Sequence, residues 1–173
     1  MDHLILRKIS VSDIPQLQLI SRQTFYETFA DQNTKDDLIK YLEESFNSEK
    51  LKKEVTNPNS EFYFALLNDE PIGYLKLNFA EAQTELKTAR SIEIERIYVL
   101  KAFHGKKVGQ FLYDKAVDIS KKRGADWIWL GVWEHNHKAI NFYKKNGFTE
   151  FDKHIFKLGN DEQTDLLMRL KIN

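Results

Sequence analysis

Residues 92–99 read Ile92-Glu93-Ile94-Glu95-Arg96-Ile97-Tyr98-Val99, and residues 103–109 read Phe103-His104-Gly105-Lys106-Lys107-Val108-Gly109. The first stretch alternates as a strand does. The second is a basic, glycine-containing turn, after which Val108, Phe111, Leu112, Ala116 and Ile119 recur at helical spacing. Lys121-Lys122-Arg123 and then Gly124 place cations in a last helical turn and glycine just past it, a strong stop signal. Trp127 to Trp133 is apolar on both faces apart from Gly131, as a buried central strand would be. Strand, helix and strand in this order predict a right-handed crossover over Ile92–Trp133. The fold class is therefore α/β with a mixed sheet.

The pattern extends to both sides of this unit. Leu4 to Ile9 predicts a first strand, and Ser12 before Asp13-Ile14-Pro15 reads as the cap of a helix with proline in its first turn. A second helix carries Leu38, Tyr41, Leu42 and Phe46, and a third runs from Glu49 to Val55. Phe62 to Leu67 and Ile72 to Phe79 form a hairpin around Asn68-Asp69-Glu70-Pro71. Ala80 to Ser91 has no period and predicts a mobile connection. Asn136 caps a short helix, Lys138 to Asn146, and Phe148 to Leu158 pairs antiparallel with Gln163 to Ile172.

At 173 residues the chain has the length of one domain over 1–173. Hydrophobic residues make up 42% and charged residues 30%, a globular composition rather than a disordered one. Lys plus Arg and Asp plus Glu are both 26, so no net basic field points to nucleic acid or an anionic membrane. The balance hides an asymmetry: residues 1–99 carry 12 basic against 17 acidic side chains, and residues 100–173 carry 14 against 9. Cysteine is absent, which excludes thiolate chemistry and fits a reducing compartment, so a cytoplasmic location is expected. The first ten residues hold no secretory apolar run, and no stretch is long and apolar enough for a membrane span.

A strand that runs into a basic turn at a helix start offers unpaired N–H groups and a positive dipole end, which suit a phosphate or diphosphate. The sequence has no G-x-x-x-x-G-K-[ST], no G-x-G-x-x-G and no G-x-S-x-G, which disfavours nucleotide and serine hydrolases. His135 and His137 have an H-x-H spacing without a third ligand, so they read as turn residues and no metal is expected.

The basic turn, followed by Asn136-x-x-Ala139-x-x-Phe142-Tyr143-x-x-x-Gly147-Phe148, resembles the GNAT superfamily of N-acetyltransferases. Trp129–Glu134, Phe142–Lys145, Asp161–Leu166, Thr28-Phe29 and Gln32-Asn33 extend the likeness over nearly the whole chain, toward the bacterial PaiA-type spermidine/spermine N-acetyltransferases. The resemblance implies the GNAT fold, a mostly antiparallel sheet with flanking helices whose two parallel central strands part, here near Val99 and Trp133. It implies acetyl-CoA as cofactor, no metal, and a small-molecule amine as partner, with a homodimer through the C-terminal strands possible.

Residue by residue, the likeness puts coenzyme A along Ile97, Tyr98 and Val99, over His104, Gly105, Lys106, Lys107, Val108, Gly109 and Gln110, and beside Val132, Trp133, Asn136, Ala139, Phe142, Tyr143 and Lys145. A backbone N–H near Val99 is implied as oxyanion donor. The loop departs from the family pattern: His104 replaces Gln or Arg, and Lys107 replaces the first glycine. Ordinary right-handed dihedrals at Lys107 are expected. An amine near pKa 10.4 must lose a proton at a cost of about 4–5 kcal/mol, which calls for a carboxylate base. Glu93 aligns with the family's glutamate and is the first candidate; Glu95, on the same face, is the second and is otherwise an ion-pair partner of Arg96 or a lysine. Tyr143 matches the general acid, with Phe142 left to pack under the sheet. Tyr26, Glu27, Phe29 and Asp31, with Glu44, are expected at the acceptor site, acids for a polycation. A protein or peptide acceptor and a non-catalytic, CoA-binding regulatory domain are the alternatives.

Overall fold

The computed structural model describes residues 3–88 and 90–173. In chain order its elements are β1 (Leu4–Lys8), α1 (Ile14–Phe29), α2 (Lys35–Ser45), α3 (Ser48–Thr56), β2 (Ser60–Leu67), β3 (Glu70–Phe79) and β4 (Ser91–Val99). There follow α4 (Val108–Lys122), β5 (Trp127–Trp133), α5 (His137–Lys145), β6 (Thr149–Leu158) and β7 (Asp161–Lys171). The strands form one seven-stranded sheet in the order β1-β2-β3-β4-β5-β7-β6. Every neighbouring pair is antiparallel except β4 and β5, which are parallel and joined through α4.

Alternation sorts the strand residues onto two faces. Ile92, Ile94, Ile128, Leu130 and Met168 meet Leu112 and Ala116 of α4 and Tyr143 of α5 in one core. Phe62, Phe64 and Tyr74 meet Leu17, Phe25, Leu38 and Leu51 of α1–α3, and Phe46 just after α2, in the other. The β2–β3 hairpin turns on Asn68 and Asp69 alone, both with positive φ, the two-residue turn that matches strand twist; strand pairing resumes already at Glu70.

Four sequence readings of the backbone are corrected. Ser12 does not cap the first helix: Val11–Asp13 is a 3₁₀ turn, and Ser10 and Asp13 cap each other, with Ser10 N–H donating to Asp13 Oδ2 at 2.9 Å. Arg7 of β1 also holds Asp13 with two bonds of 3.0 and 3.1 Å. The connection after β3 is anchored: Gln83 is buried and its Oε1 accepts from Ser91 Oγ at 2.9 Å and Trp129 Nε1 at 2.8 Å. Ala89, within that predicted connection, lies outside the described residues. The parallel strands part earlier than Val99 and Trp133: pairing covers Ser91–Trp127, Ile92–Ile128 and Glu93–Trp129, and ends there. The fourth correction concerns Lys107 and is taken up with the site.

The β6–β7 hairpin closes against α2. Gly159, at φ +61°, leaves room for the Asp37 carboxylate, which accepts from Asn160 N–H at 3.1 Å; a Cβ there would collide with it. Gln163 Nε2 donates to Asn33 Oδ1 at 2.7 Å, a second tie to the α1–α2 connection. Gly159→Ala is expected to lower stability by about 2 kcal/mol, a fall of ~5 °C in thermal midpoint. Asp37→Ala should recover part of that loss in a double-mutant cycle, since only the collision and not the backbone strain is relieved.

Candidate active site

The centre of the molecule is organised by a bulge in β4. Lys76 pairs with Arg96 but Leu77 pairs with Ile94, so Glu95 is the extra residue on its strand. The bulge resets the alternation. Ile92 and Ile94 before it, and Ile97 and Val99 after it, all pack toward α4, whereas Tyr98 joins the α1–α3 core. Glu93, Glu95 and Arg96 are left on the α1–α3 side: Asn78 Nδ2 donates to Glu93 Oε1 at 2.9 Å and to Glu95 Oε2 at 2.7 Å, and Arg96 reaches Glu54 of α3 at 3.0 Å.

The two glutamates differ sharply. Glu95 forms an ion pair with the buried Lys76 ammonium, which also lies 3.3 Å from Glu54. Burial pushes the Glu95 carboxyl up, but Arg96 and Lys76 outweigh it and hold it at about 2. Arg96 is in turn stacked over Phe46 at 5.0 Å, and Lys76 over Phe62 at 5.3 Å. A carboxylate held this firmly ionised is a poor proton acceptor near neutral pH, so the ion-pair reading of Glu95 is the one the geometry supports. Glu93 is 3% exposed and has no cationic partner among the described residues. Thr84 N–H and Asn78 donate to its Oε1, and Thr84 Oγ1 donates to Oε2 at 2.6 Å, leaving Oε2 a free lone pair. Burial raises its pKa; the Thr84 and Asn78 bonds oppose that, and the Glu95 charge adds to it.

Beyond Glu93 and Trp129 the backbone edges of β4 and β5 face an open gap. Leu100 N–H donates to Ile72 on β3 at 2.9 Å, so alternation turns the N–H and C=O of Val99 the other way, into the gap. His104 Nε2–H donates to that carbonyl at 2.8 Å, which leaves Nδ1 as an acceptor, 3.5 Å from Lys138 Nζ on α5. The turn 104–107 is exposed and leads into α4, whose first free backbone N–H groups belong to Val108, Gly109 and Gln110. Lys106 and Lys107 flank them. This set of donors and cations fits a diphosphate. Gln110 is itself bonded to Asp114 at 2.9 Å and Asn146 at 3.1 Å, tying α4 to the end of α5.

Lys107 is the fourth correction. Its φ of 63° and ψ of 14° are left-handed, not right-handed, so the residue in the family's glycine position keeps the conformation that glycine would take. A lysine there carries about 1 kcal/mol of backbone strain.

On α5, Asn136 Oδ1 accepts from Ala139 N–H at 3.3 Å and caps the helix as expected. Tyr143 is buried and Phe142 only partly so, the reverse of the packing expected. The Tyr143 ring lies 5.5 Å from Phe142 and 5.6 Å from Phe148, and its hydroxyl bonds to none of the described residues. Burial alone pushes its phenol well up, and the phenol is near enough to Tyr98 for their charges to interact. Val132 packs toward α4 and α5, and Lys145 is exposed.

Of the predicted acceptor residues, Phe29 stands beside the gap, its ring 5.6 Å from Trp133. Glu27 accepts from Lys101 N–H at 2.8 Å and from Gln23 at 3.0 Å, and so braces the turn before α4. Tyr26, Asp31 and Glu44 are exposed on α1, the turn after it and α2. Acids near the gap come instead from elsewhere: Asp165 on β7 and Glu85 after β3, grouped around His154 of β6. The sequence signal for Asp165 is an acid directly before the apolar run Leu166-Leu167-Met168 of β7; Glu85 had none.

Comparison with known proteins gives this geometry its family. The chain belongs to the acetyltransferase (GNAT) family, which matches over residues 22–148. It is an acyltransferase of the N-acetyltransferase class, a family that draws its acetyl group from acetyl-CoA. An uncharacterized N-acetyltransferase of Lactobacillus delbrueckii subsp. lactis is 42% identical over 162 residues, 94% of each chain. The spermidine N(1)-acetyltransferase of Thermoplasma acidophilum is 26% identical over 170 residues, 96% of each. The crystal structure of the PaiA N-acetyltransferase of that organism in complex with coenzyme A superposes with a TM-score of 0.80 at 26% identity. It covers 98% of this chain and 99% of that one. The ribosomal-protein-S18-alanine N-acetyltransferase of Escherichia coli shares the fold, at a TM-score of 0.75 and 14% identity. Among the described residues no group of three or more His, Cys, Asp or Glu is placed to hold a metal ion, and no helix is long and apolar enough to cross a membrane.

Glu95→Gln should destabilise the fold by about 3–5 kcal/mol, because Lys76 and Arg96 lose their counter-charge inside the protein. The wild type gains stability from ionised Glu95 above its ordinary value of 4.5 and loses it as pH falls toward about 2; acid unfolding of the Gln variant lacks that slope. Chemical denaturation should find Lys107→Gly more stable than Lys107→Ala by about 1 kcal/mol, since only glycine relieves the left-handed strain.

Proposed function

We propose that residues 1–173 form one catalytic domain that transfers acetyl from acetyl-CoA to a primary amine, with a polyamine of the spermidine or spermine type as acceptor. The observation that carries this reading is the parting of β4 from β5 beside the basic N-terminus of α4. Acetyl-CoA, when bound, supplies an activated acyl group on a thioester. Lys106, Lys107 and the N–H groups of Val108, Gly109 and Gln110 hold the diphosphate. The backbone of Ile97 and Val99 lines one side of the gap, with Val99 N–H as the oxyanion donor. Val132, Trp133 and Ala139 exclude water from the other side.

Glu93 receives the amine proton, directly or through one water on its free Oε2 lone pair. Its raised pKa suits it to that task better than the firmly ionised Glu95. Tyr143 holds a proton on its phenol oxygen for the departing sulfur, and burial keeps that proton in place. The polyamine acceptor is supported by the relative in Thermoplasma acidophilum that is named for spermidine.

Acetyl transfer to spermidine, spermine, an N-acetylated polyamine and a lysine peptide, measured side by side, tests the acceptor. Spermidine should exceed the peptide in kcat/KM by about tenfold or more, and equal turnover of the peptide would overturn the polyamine reading. Tyr143→Phe should lower kcat roughly 100-fold with coenzyme A affinity intact. The acid limb of the wild-type rate profile should have its midpoint above the ordinary glutamate value of 4.5, and Glu93→Gln should abolish that limb.

A further inference from the structure

Gly131 is exposed in the middle of the central strand β5, although its neighbours on the same face, Trp129 and Trp133, are both buried. An exposed glycine between two buried tryptophans marks a hollow in the sheet face, on the side away from α4 and at the edge where β4 has separated. A side chain begun at Gly131 would meet Asp165 Oδ2 and Leu167 Cδ2 at 3.5 Å and the His154 ring at 3.6 Å, so the Asp165 carboxylate borders this hollow beside Leu167. Asp165 pairs across the ladders with Trp133 on one side and His154 on the other. His154 stands 3.6 Å from Asp165 and 2.8 Å from Glu85, and the Tyr41 phenol of α2 is close enough to feel the Asp165 charge. No lysine or arginine pairs with Asp165 among the described residues, which distinguishes it from Glu95.

A second, independent feature lies on the same face of β7. Gln163 is more than nine-tenths buried; its Nε2 donates to Asn33 and Asp161, which fixes the amide orientation and leaves Oε1 an acceptor with no donor. Two residues along a strand are about 7 Å apart, so this buried, unsatisfied carbonyl lies one step along the same face of β7 from Asp165.

We infer that Asp165, bordering the Gly131 hollow with His154 and Glu85 behind it, binds the ammonium group of the acceptor and selects cationic amines. The inference rests on the amine acetyltransferase reading and assigns that reading its acceptor subsite. Asp165 contributes a charge-assisted hydrogen bond and a counter-charge in a partly desolvated wall, Trp133 contributes an aromatic side, and Gly131 contributes the space. Burial raises the Asp165 carboxyl to about 6, against the lowering effect of His154, so it still carries its charge at neutral pH.

Spermidine binding by calorimetry, without acetyl-CoA, reads this subsite apart from turnover. Asp165→Asn should weaken spermidine binding about tenfold or more, while coenzyme A binding and acetyl transfer to hydroxylamine, a small uncharged nucleophile, stay within about twofold. An Asp165→Asn protein that binds spermidine as the wild type does would overturn the inference, as would a wild type that binds no polyamine. If spermidine binds through Asp165 but receives no acetyl group, the inference stands and the earlier acceptor reading falls. Gly131→Ala tests the same hollow from its floor, because a methyl there meets only ordinary contacts and needs no unusual backbone. It should weaken spermidine binding about fivefold, and unchanged affinity would count against the subsite even if Asp165→Asn failed to fold.

Discussion

The structure turns on the point at which β4 stops pairing with β5. Up to Glu93 and Trp129 the two parallel strands share a ladder, and past that point their backbone groups have no partner in each other. Unpaired strand edges inside a protein are costly unless something else satisfies them. Here the remedy is divided: His104 takes the Val99 carbonyl, α4 and α5 cover one side, and the remaining donors and acceptors face the space between the parted strands. The same parting exposes Gly131 and so opens the opposite face. One break in a ladder therefore leaves backbone groups of both strands unpaired with each other and a glycine open to solvent.

That break needs a rigid neighbour, and the bulge at Glu95 supplies it. By adding one residue to β4, the bulge keeps Ile92, Ile94, Ile97 and Val99 in one core while turning Glu93, Glu95, Arg96 and Tyr98 to the other. The charges so gathered are mutually satisfied: Lys76 lies between Glu54 and Glu95, and Arg96 between Glu54 and the Phe46 ring. A buried network of this kind adds little net stability but penalises any rearrangement that would unpair one member. Glu93 stands just outside it, satisfied by neutral donors only, so its proton affinity is set by burial rather than by an ion pair. Two adjacent carboxylates acquire opposite characters from their surroundings.

Much of the fold was legible because it is locally specified. Period-two runs, amphipathic helical faces, the Lys121–Gly124 stop and the Asn136 cap depend on neighbours within a few residues, and each lies where its spacing predicts. The motif from Asn136 to Phe148 was likewise legible, since one helix and its exit carry it whole. The chain's own residue types thus determined the α/β class, the crossover through α4, the basic helix start and the membership of Glu93 and Tyr143 in the central region.

Only the tertiary structure decided the rest. Ser12 lost the cap to Ser10 and Asp13 because Arg7 holds Asp13 from the preceding strand. Lys107 took a left-handed conformation at the start of α4 although it is not a glycine. Glu27 was drawn to the Lys101 backbone 74 positions away, and Asp165 was brought beside Gly131 by the β5–β7 ladder. The Glu27 and Asp165 contacts depend on partners distant in sequence, and side-chain spacing records only near neighbours. Strand register, bulge position and chain reversal decide which distant groups meet, and they are settled by packing the whole sheet between its two helical layers.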